Sequence, residues 1–295
     1  MRVRLDVPPD FSFGRTVNSH GWCDLAPFSP ASDASSIATV VALPGGGARR
    51  IVLREDDGVV LESAGSADAA TRRILIAAGR RVLALDVDIA PFHDAVRRDT
   101  RYRWIAETRS GRLLRGPSAW EDVVKLVQTT NCSWAFTKKM TIALVERYGE
   151  KAKDGARSFP TPERLACVTE AEFRDAVRAG YRSPYLVALS RAVATGTADP
   201  ASWDTDPREA SVLRRDIVKL PGVGPYVAEN LLKFIGKPDG LAPDSAIRAG
   251  YSERYHGGRK IKDVTIATRL ASLGRWGGLA LWFDLWREWD PSALP

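Results

Sequence analysis

Apolar positions along the chain change period after about the first quarter. ATVVALP (38–44), RRIVLRE (49–55) and GVVLESA (58–64) are short β-branched runs, separated by GGG and by DDG. Both separators are hairpin signals, so the three runs read as antiparallel strands. DAATRRILIAAGRRV (68–82) carries helical spacing instead, and VLALDVD after it reads as an extended link. From Pro91 onward the pattern is almost entirely helical. The spacing predicts helices over 91–99, 118–130, 134–148, 170–179, 183–195, 207–219, 225–235, 244–255, 263–274 and 277–288. The polar stretch EKAKDGARS (150–158) reads as an exposed loop. Strands followed by many helices predict an α+β fold. Its parts would be a small antiparallel β-sheet lobe over 1–88 and a mainly α-helical body over 89–295.

Within the helical part, LPGVG (220–224) stands between the apolar-periodic runs ASVLRRDIVKL and PYVAENLLKFI. The glycines Gly222 and Gly224 allow strained backbone angles, and Pro221 presets the turn. Pro225 suits the first turn of a helix, where its missing N–H costs nothing. The unit reads as helix, tight hairpin, helix. Its second helix would present free amides to a phosphate, with Lys219 just before the turn. About twenty residues past the hairpin comes a lone carboxylate, Asp244 in APDSAIR. On spacing alone Asp244 is a cap for the helical run that begins at Ser245.

These residues resemble the helix-hairpin-helix DNA glycosylases. The likeness extends to GRLLRGPSAWEDVVKLVQTTNCSW (111–134), FPTPERLA (159–166), AGYRSPYLVALSRA (179–192) and WGGLALWFDLW (276–286), and covers roughly residues 83–290. Within the family it is similar to the 3-methyladenine glycosylase II and 8-oxoguanine glycosylase branches. The resemblance implies a helical body of two lobes with a DNA cleft between them. It also implies a base-excision repair enzyme that flips a damaged base out of double-stranded DNA and releases it. Asp244 would stabilise the oxocarbenium-like transition state, a role compatible with capping because a cap at a helix N-terminus stays ionised. Lys219, Leu220, Gly222, Val223, Gly224 and Tyr226 would lie at the DNA backbone. Asn131 would fill the gap left by the flipped base, with Gln128 one helical turn earlier. On spacing alone Asn131 is equally a turn residue or cap. The base pocket would draw on Tyr226, Asn230, Ser245 and Trp282.

Departures from the family refine the expectation. Strand-cleaving members carry a lysine two residues past the second hairpin glycine, where this chain has Tyr226. A phenol forms no imine, so the resemblance implies a monofunctional glycosylase without lyase activity. Lys233, two turns further on, reads as a solvated lysine on the helix face. Asn230 and Ser245 stand where the alkylation branch has tyrosines, and Ala246 where a histidine is common in the 8-oxoguanine branch. Alkylated purines are the expected substrates. The alternatives are an oxidised or otherwise modified base, or a non-catalytic DNA-binding protein, which would need neither Asp244 nor the whole helical body.

Composition adds a few exclusions. A net charge of +7 over 295 residues favours a polyanionic partner. The three cysteines are scattered and none follows Cys167. That argues against a disulfide framework and leaves no ligands for an iron–sulfur cluster after the hairpin. His20, His93 and His256 are too dispersed for a metal site, and His20 reads as a structural residue of the β lobe. No cofactor is expected beyond a monovalent cation that the family hairpin can hold through its carbonyls. No apolar run is long enough to span a membrane. The expected protein is a monomer, in the cytoplasm at the nucleoid if bacterial and in the nucleus if eukaryotic.

Overall fold

A computed structural model describes residues 1–33, 35–241 and 243–287. The chain starts with β1 (Arg2–Leu5), α1 (Phe13–Val17) and a 3-10 turn over Gly21–Asp24. Four strands follow: β2 (Ser29–Pro30), β3 (Ser36–Ala42), β4 (Ala48–Glu55) and β5 (Val59–Glu62). They form one antiparallel sheet in the order β1-β5-β4-β3-β2, with Thr39 opposite Ile51 and Leu53 opposite Leu61. The GGG signal is a true hairpin, because Gly45, Gly46 and Gly47 all take positive φ. Helix α2 (Ala69–Val82) begins at the Asp68 cap and lies across the sheet. It comes so close that a Cβ on Gly79 would sit 2.5 Å from Leu61 Cδ1.

The helical body contains α3 (Ala90–Arg97), α4 (Arg103–Glu107), α5 (Ala119–Thr129), α6 (Trp134–Tyr148), α7 (Pro162–Ala166), α8 (Glu170–Asp175) and α9 (Ser183–Ala194). It closes with α10 (Ala210–Ile217), α11 (Pro225–Phe234), α12 (Ser245–His256), α13 (Asp263–Leu270) and α14 (Gly277–Leu285). Ser118, Ser133 and Thr169 cap α5, α6 and α8 through their side-chain oxygens, which sets where those helices start. The end of the expected closing helix, at 288, and the stretch to 295 lie outside the described residues.

Two expectations need correction. Residues 82–88 are not an extended link but a compact turn, with Ala84 at φ 51°. The helix expected to run to residue 274 stops at Leu270, and a 3-10 segment over Ala271–Trp276 follows, kinked at Gly274. The short elements β1, β2, α1, α4 and α7 carry too few residues to show a period. The sheet and the helices also share one hydrophobic cluster, which runs from Leu5 and Leu61 through Phe92 and Val123 to Leu231 and Phe283. Residues 11–28 are the seam. Phe13, Val17 and Leu25 are fully buried, and the Trp22 indole N–H donates to Asp122 of α5 at 2.8 Å.

Candidate active site and nucleic-acid interface

The hairpin between α10 and α11 is built on one strained position. Gly222 has φ 76°, and a Cβ there would lie 2.8 Å from the Cβ of Tyr185. Gly224 is unlike it: its φ is −87°, a Cβ would meet nothing within 4 Å, and it serves as the residue before α11. Val223 is buried and its N–H closes the turn on the Leu220 carbonyl at 3.1 Å. Gly224 offers no side chain to cap α11 and Pro225 has no N–H, so the next amides face outward for an external acceptor. Lys219 is well exposed, but its Nζ donates to Asp216 at 3.0 Å and so shares its charge. Gly222→Ala is expected to cost about 1–3 kcal/mol of stability, the range for a strained backbone position. Gly224→Ala should cost less, and urea melts of the two variants would show the order.

Asp244 sits at the start of α12, its carboxylate accepting the N–H of Ile247 at 2.7 Å. The cap reading is therefore correct, and the carboxylate keeps a second oxygen for other work. Its charge is felt on α11. Burial first, and then Asp244, raises the pKa of the half-buried Tyr226 phenol, whose oxygen lies 3.5 Å from Thr129 Oγ1. One turn on, the buried Asn230 donates from Nδ2 to the Tyr226 carbonyl at 2.9 Å. The next residue on this face is Lys233. It is not the solvated lysine expected from the sequence, since it is 4 % exposed and its Nζ reaches Asn230 Oδ1 at 3.5 Å. Burial pulls its pKa down to about 8, against the opposing pull of Glu229 and Asp244. Ser245 is exposed on the first turn of α12, outside the buried face that Asn230 and Lys233 make.

Trp282 of α14 is half-buried, with its indole N–H on the Ser19 carbonyl at 3.1 Å. It packs edge-on against His20, which itself stacks on Phe234 of α11 at 5.1 Å. His20 therefore does not belong to the β lobe; it joins the N-terminal segment to α11 and α14. Burial lowers its pKa to about 4, so it is neutral at pH 7. Its Nε2 lies 2.8 Å from the Leu114 carbonyl and must carry the proton, while Nδ1 is buried with no partner.

Asn131 occupies the turn between α5 and α6 in a left-handed conformation, φ 47°, exposed at the tip. Its Nδ2 donates to the hydroxyl of Tyr181 at 3.1 Å. Arg182 lies over the Tyr181 ring and donates to Thr130 Oγ1 at 3.2 Å. Tyr181 is 50% exposed. Since Tyr185 touches Gly222, residues 181–185 place the tip and the hairpin side by side. Gln128 does not join them. It is fully buried, and its Oε1 accepts from Thr141 at 3.0 Å, so the expectation that it reaches DNA fails. Its amide points inward because α5 is buried on every side except at its end.

The sequence reading does not single out Tyr181, and it misplaces His20 and Lys233. The segment around Tyr181 entered only through the resemblance, and which residues it meets depends on where residues 180–182 settle against the end of α5. Among the described residues, no group of three or more His, Cys, Asp or Glu could hold a metal ion, and no helix is long and apolar enough to cross a membrane.

The sequence model of the HhH-GPD superfamily base excision DNA repair protein matches residues 124–275, from inside α5 to the end of the kinked segment before α14. The chain belongs to this superfamily. The matched span holds the Asn131 tip, Tyr181, the hairpin, the α11 face and Asp244. A putative DNA-3-methyladenine glycosylase, YfjP of Bacillus subtilis, is 31% identical over 117 residues, which is 38% of this chain and 38% of that protein. Among solved structures, that of MBOgg1 in complex with a low affinity DNA ligand has a TM-score of 0.72 at 21% identity, covering 97% of this chain and 93% of that one. The 3-methyladenine DNA glycosylase of Archaeoglobus fulgidus matches with a TM-score of 0.72 at 16% identity, over 96% of this chain and 98% of its own. The 8-oxoguanine glycosylase/lyase of Clostridium acetobutylicum, bound to double-stranded DNA, gives 0.68 at 17% identity, over 95% and 92%. At these identities the likeness shows a shared α+β fold.

Proposed function

We propose that this superfamily member is a monofunctional DNA glycosylase of base-excision repair. The observation that carries the reading is the carboxylate of Asp244, fixed by its cap at the start of α12 and near enough to α11 for its charge to act on Tyr226 and Lys233. In this reading the outward amides of α11, with Leu220 and Lys219, hold the DNA backbone. The Asn131 tip enters the duplex where a base has left it, and Tyr181 lies against the same gap. Trp282 flanks the extruded base. As the N-glycosidic bond breaks, Asp244 stabilises positive charge on the sugar and takes a proton from the attacking water. Of cofactors, only a monovalent cation on the hairpin belongs to the proposal. The carbonyls of Ile217 and Leu220 each accept one amide there and keep a second lone pair. The acting species is a monomer on double-stranded DNA.

Tyr226 makes the product an abasic site in an intact strand. Its phenol is protonated, and it has no amine with which to capture the sugar. Release assays on duplexes with single lesions test the activity. In the same reactions, borohydride is expected to trap no protein–DNA adduct, and strand breaks should follow only from added alkali. Stoichiometric trapping would sink the monofunctional reading. Alkylated purines are the substrate class that the Bacillus relative's name suggests. A neutral modified base is the second reading, favoured by the buried cation Lys233.

A further inference from the structure

Lys233 is an ammonium group in an unusual position. It is 4 % exposed, and a lysine buried to this degree ordinarily has a carboxylate partner or several acceptors. Here, among the described residues, its three donors find one acceptor, the Asn230 amide oxygen at 3.5 Å. Glu229 on the same helix is already held by Arg214 of α10 at 2.6 Å. Lys233 also borders a cavity of about 20 Å³ beside Asp88, Arg112 and Arg115. Those guanidinium groups pair elsewhere, Arg112 with Asp10 at 2.8 Å and Arg115 with Asp204 at 3.3 Å. Asp88 accepts the Ala90 N–H at 3.0 Å, and Asp244 of α12 acts on both Lys233 and Tyr226. Tyr226, Asn230 and Lys233 follow i, i+4, i+7 spacing, so they share one face of α11.

A buried, under-satisfied donor on that face disfavours a cationic base and suits a neutral one with an oxygen or nitrogen acceptor. We propose that Lys233 is the proton donor to the departing base, and that the enzyme acts on neutral modified bases. The inference rests on the glycosylase reading of Asp244. The C1′–N bond breaks, its electron pair leaves with the base, and Lys233 gives that base a proton. Water adds to C1′ and loses a proton to Asp244, which returns it to the Lys233 amine. A base that already carries a positive charge leaves as a neutral molecule and needs no such donor. The ammonium form prevails below a pKa of about 8, so release of a neutral base must slow as pH rises through that value.

The test is single-turnover release, from pH 6 to 10, on duplexes carrying hypoxanthine, 8-oxoguanine or cationic 7-methylguanine. The wild-type protein is expected to release at least one neutral base, with an alkaline limb near pH 8. Lys233→Met, close in volume, is expected to lower the ratio of neutral to cationic release at pH 7 by about a hundredfold or more, the usual worth of a general acid. Lys233→Arg keeps the charge but does not give up its proton, and should be similarly slow on neutral bases. Thermal melts show that the variants fold. Release of 7-methylguanine alone, an equal fall on all bases, or an alkaline limb that persists in Lys233→Met would overturn the proposal while leaving the glycosylase reading standing. Absence of release from every lesion duplex, including those with other alkylated or oxidised bases, would instead remove the reading beneath it.

Discussion

Asp244→Asn is expected to abolish base release while leaving the fold and DNA affinity nearly intact. Asparagine keeps an oxygen in the position that accepts the Ile247 N–H, so α12 keeps its cap. What disappears is the negative charge that the proposed function places beside the sugar. One well-placed electrostatic group is worth on the order of 10² to 10³ in rate. The loss should appear in single-turnover rates, with binding to a lesion duplex changed by no more than a few-fold. Wild-type turnover in this variant would show that Asp244 is a cap and nothing more.

Asp122→Ala should produce the largest loss of stability of any polar substitution in the chain. Its carboxylate is fully buried and accepts from Arg81 at 2.7 Å, from the Gly116 N–H at 2.7 Å and from the Trp22 indole at 2.8 Å. Those three donors belong to α2, to the loop before α5 and to the N-terminal seam. Arg115 lies in the same network and has its pKa pushed down to about 10, first by burial and then by repulsion from Arg81. Removing Asp122 leaves two buried guanidinium groups to share Asp204. Breaking a buried pair by deleting one partner costs about 3–5 kcal/mol. Urea unfolding followed by tryptophan fluorescence measures this directly, and a change below about 1 kcal/mol would mean that Asp204 alone suffices.

Much of this molecule was legible from residue spacing. The GGG and DDG hairpins, the long helices and the helix-hairpin-helix unit follow from local rules, since turn glycines, caps and a 3.6-residue period act within a few positions. Asp244 was legible as a cap from its neighbours, and the structure bears that out; its catalytic role comes from the family resemblance and stays part of the proposal. Lys233 was not. Its helix offers a lysine one turn after Asn230, and whether that face meets water depends on where α12 and the segment over 108–118 settle. His20 failed for the same reason: its partners Phe234 and Trp282 are more than two hundred residues away in sequence. Gln128 shows the opposite error, in which a residue one turn before Asn131 is expected at the surface although α5 is enclosed.

The turn at Asn131 has a kinetic consequence. Its left-handed backbone, its hydrogen bond to Tyr181 and the Arg182 guanidinium over that ring hold the tip through contacts within the fold. The tip therefore gives up its conformational freedom at the folding step, and in the proposed function it would act on a duplex as a fixed probe. On the proposed reading, the energy needed to open a base pair then comes almost wholly from the pair itself. A lesion that weakens its own stacking or pairing yields to the probe sooner than an intact pair does, so sampling speed along the duplex sorts bases before any pocket contact is made.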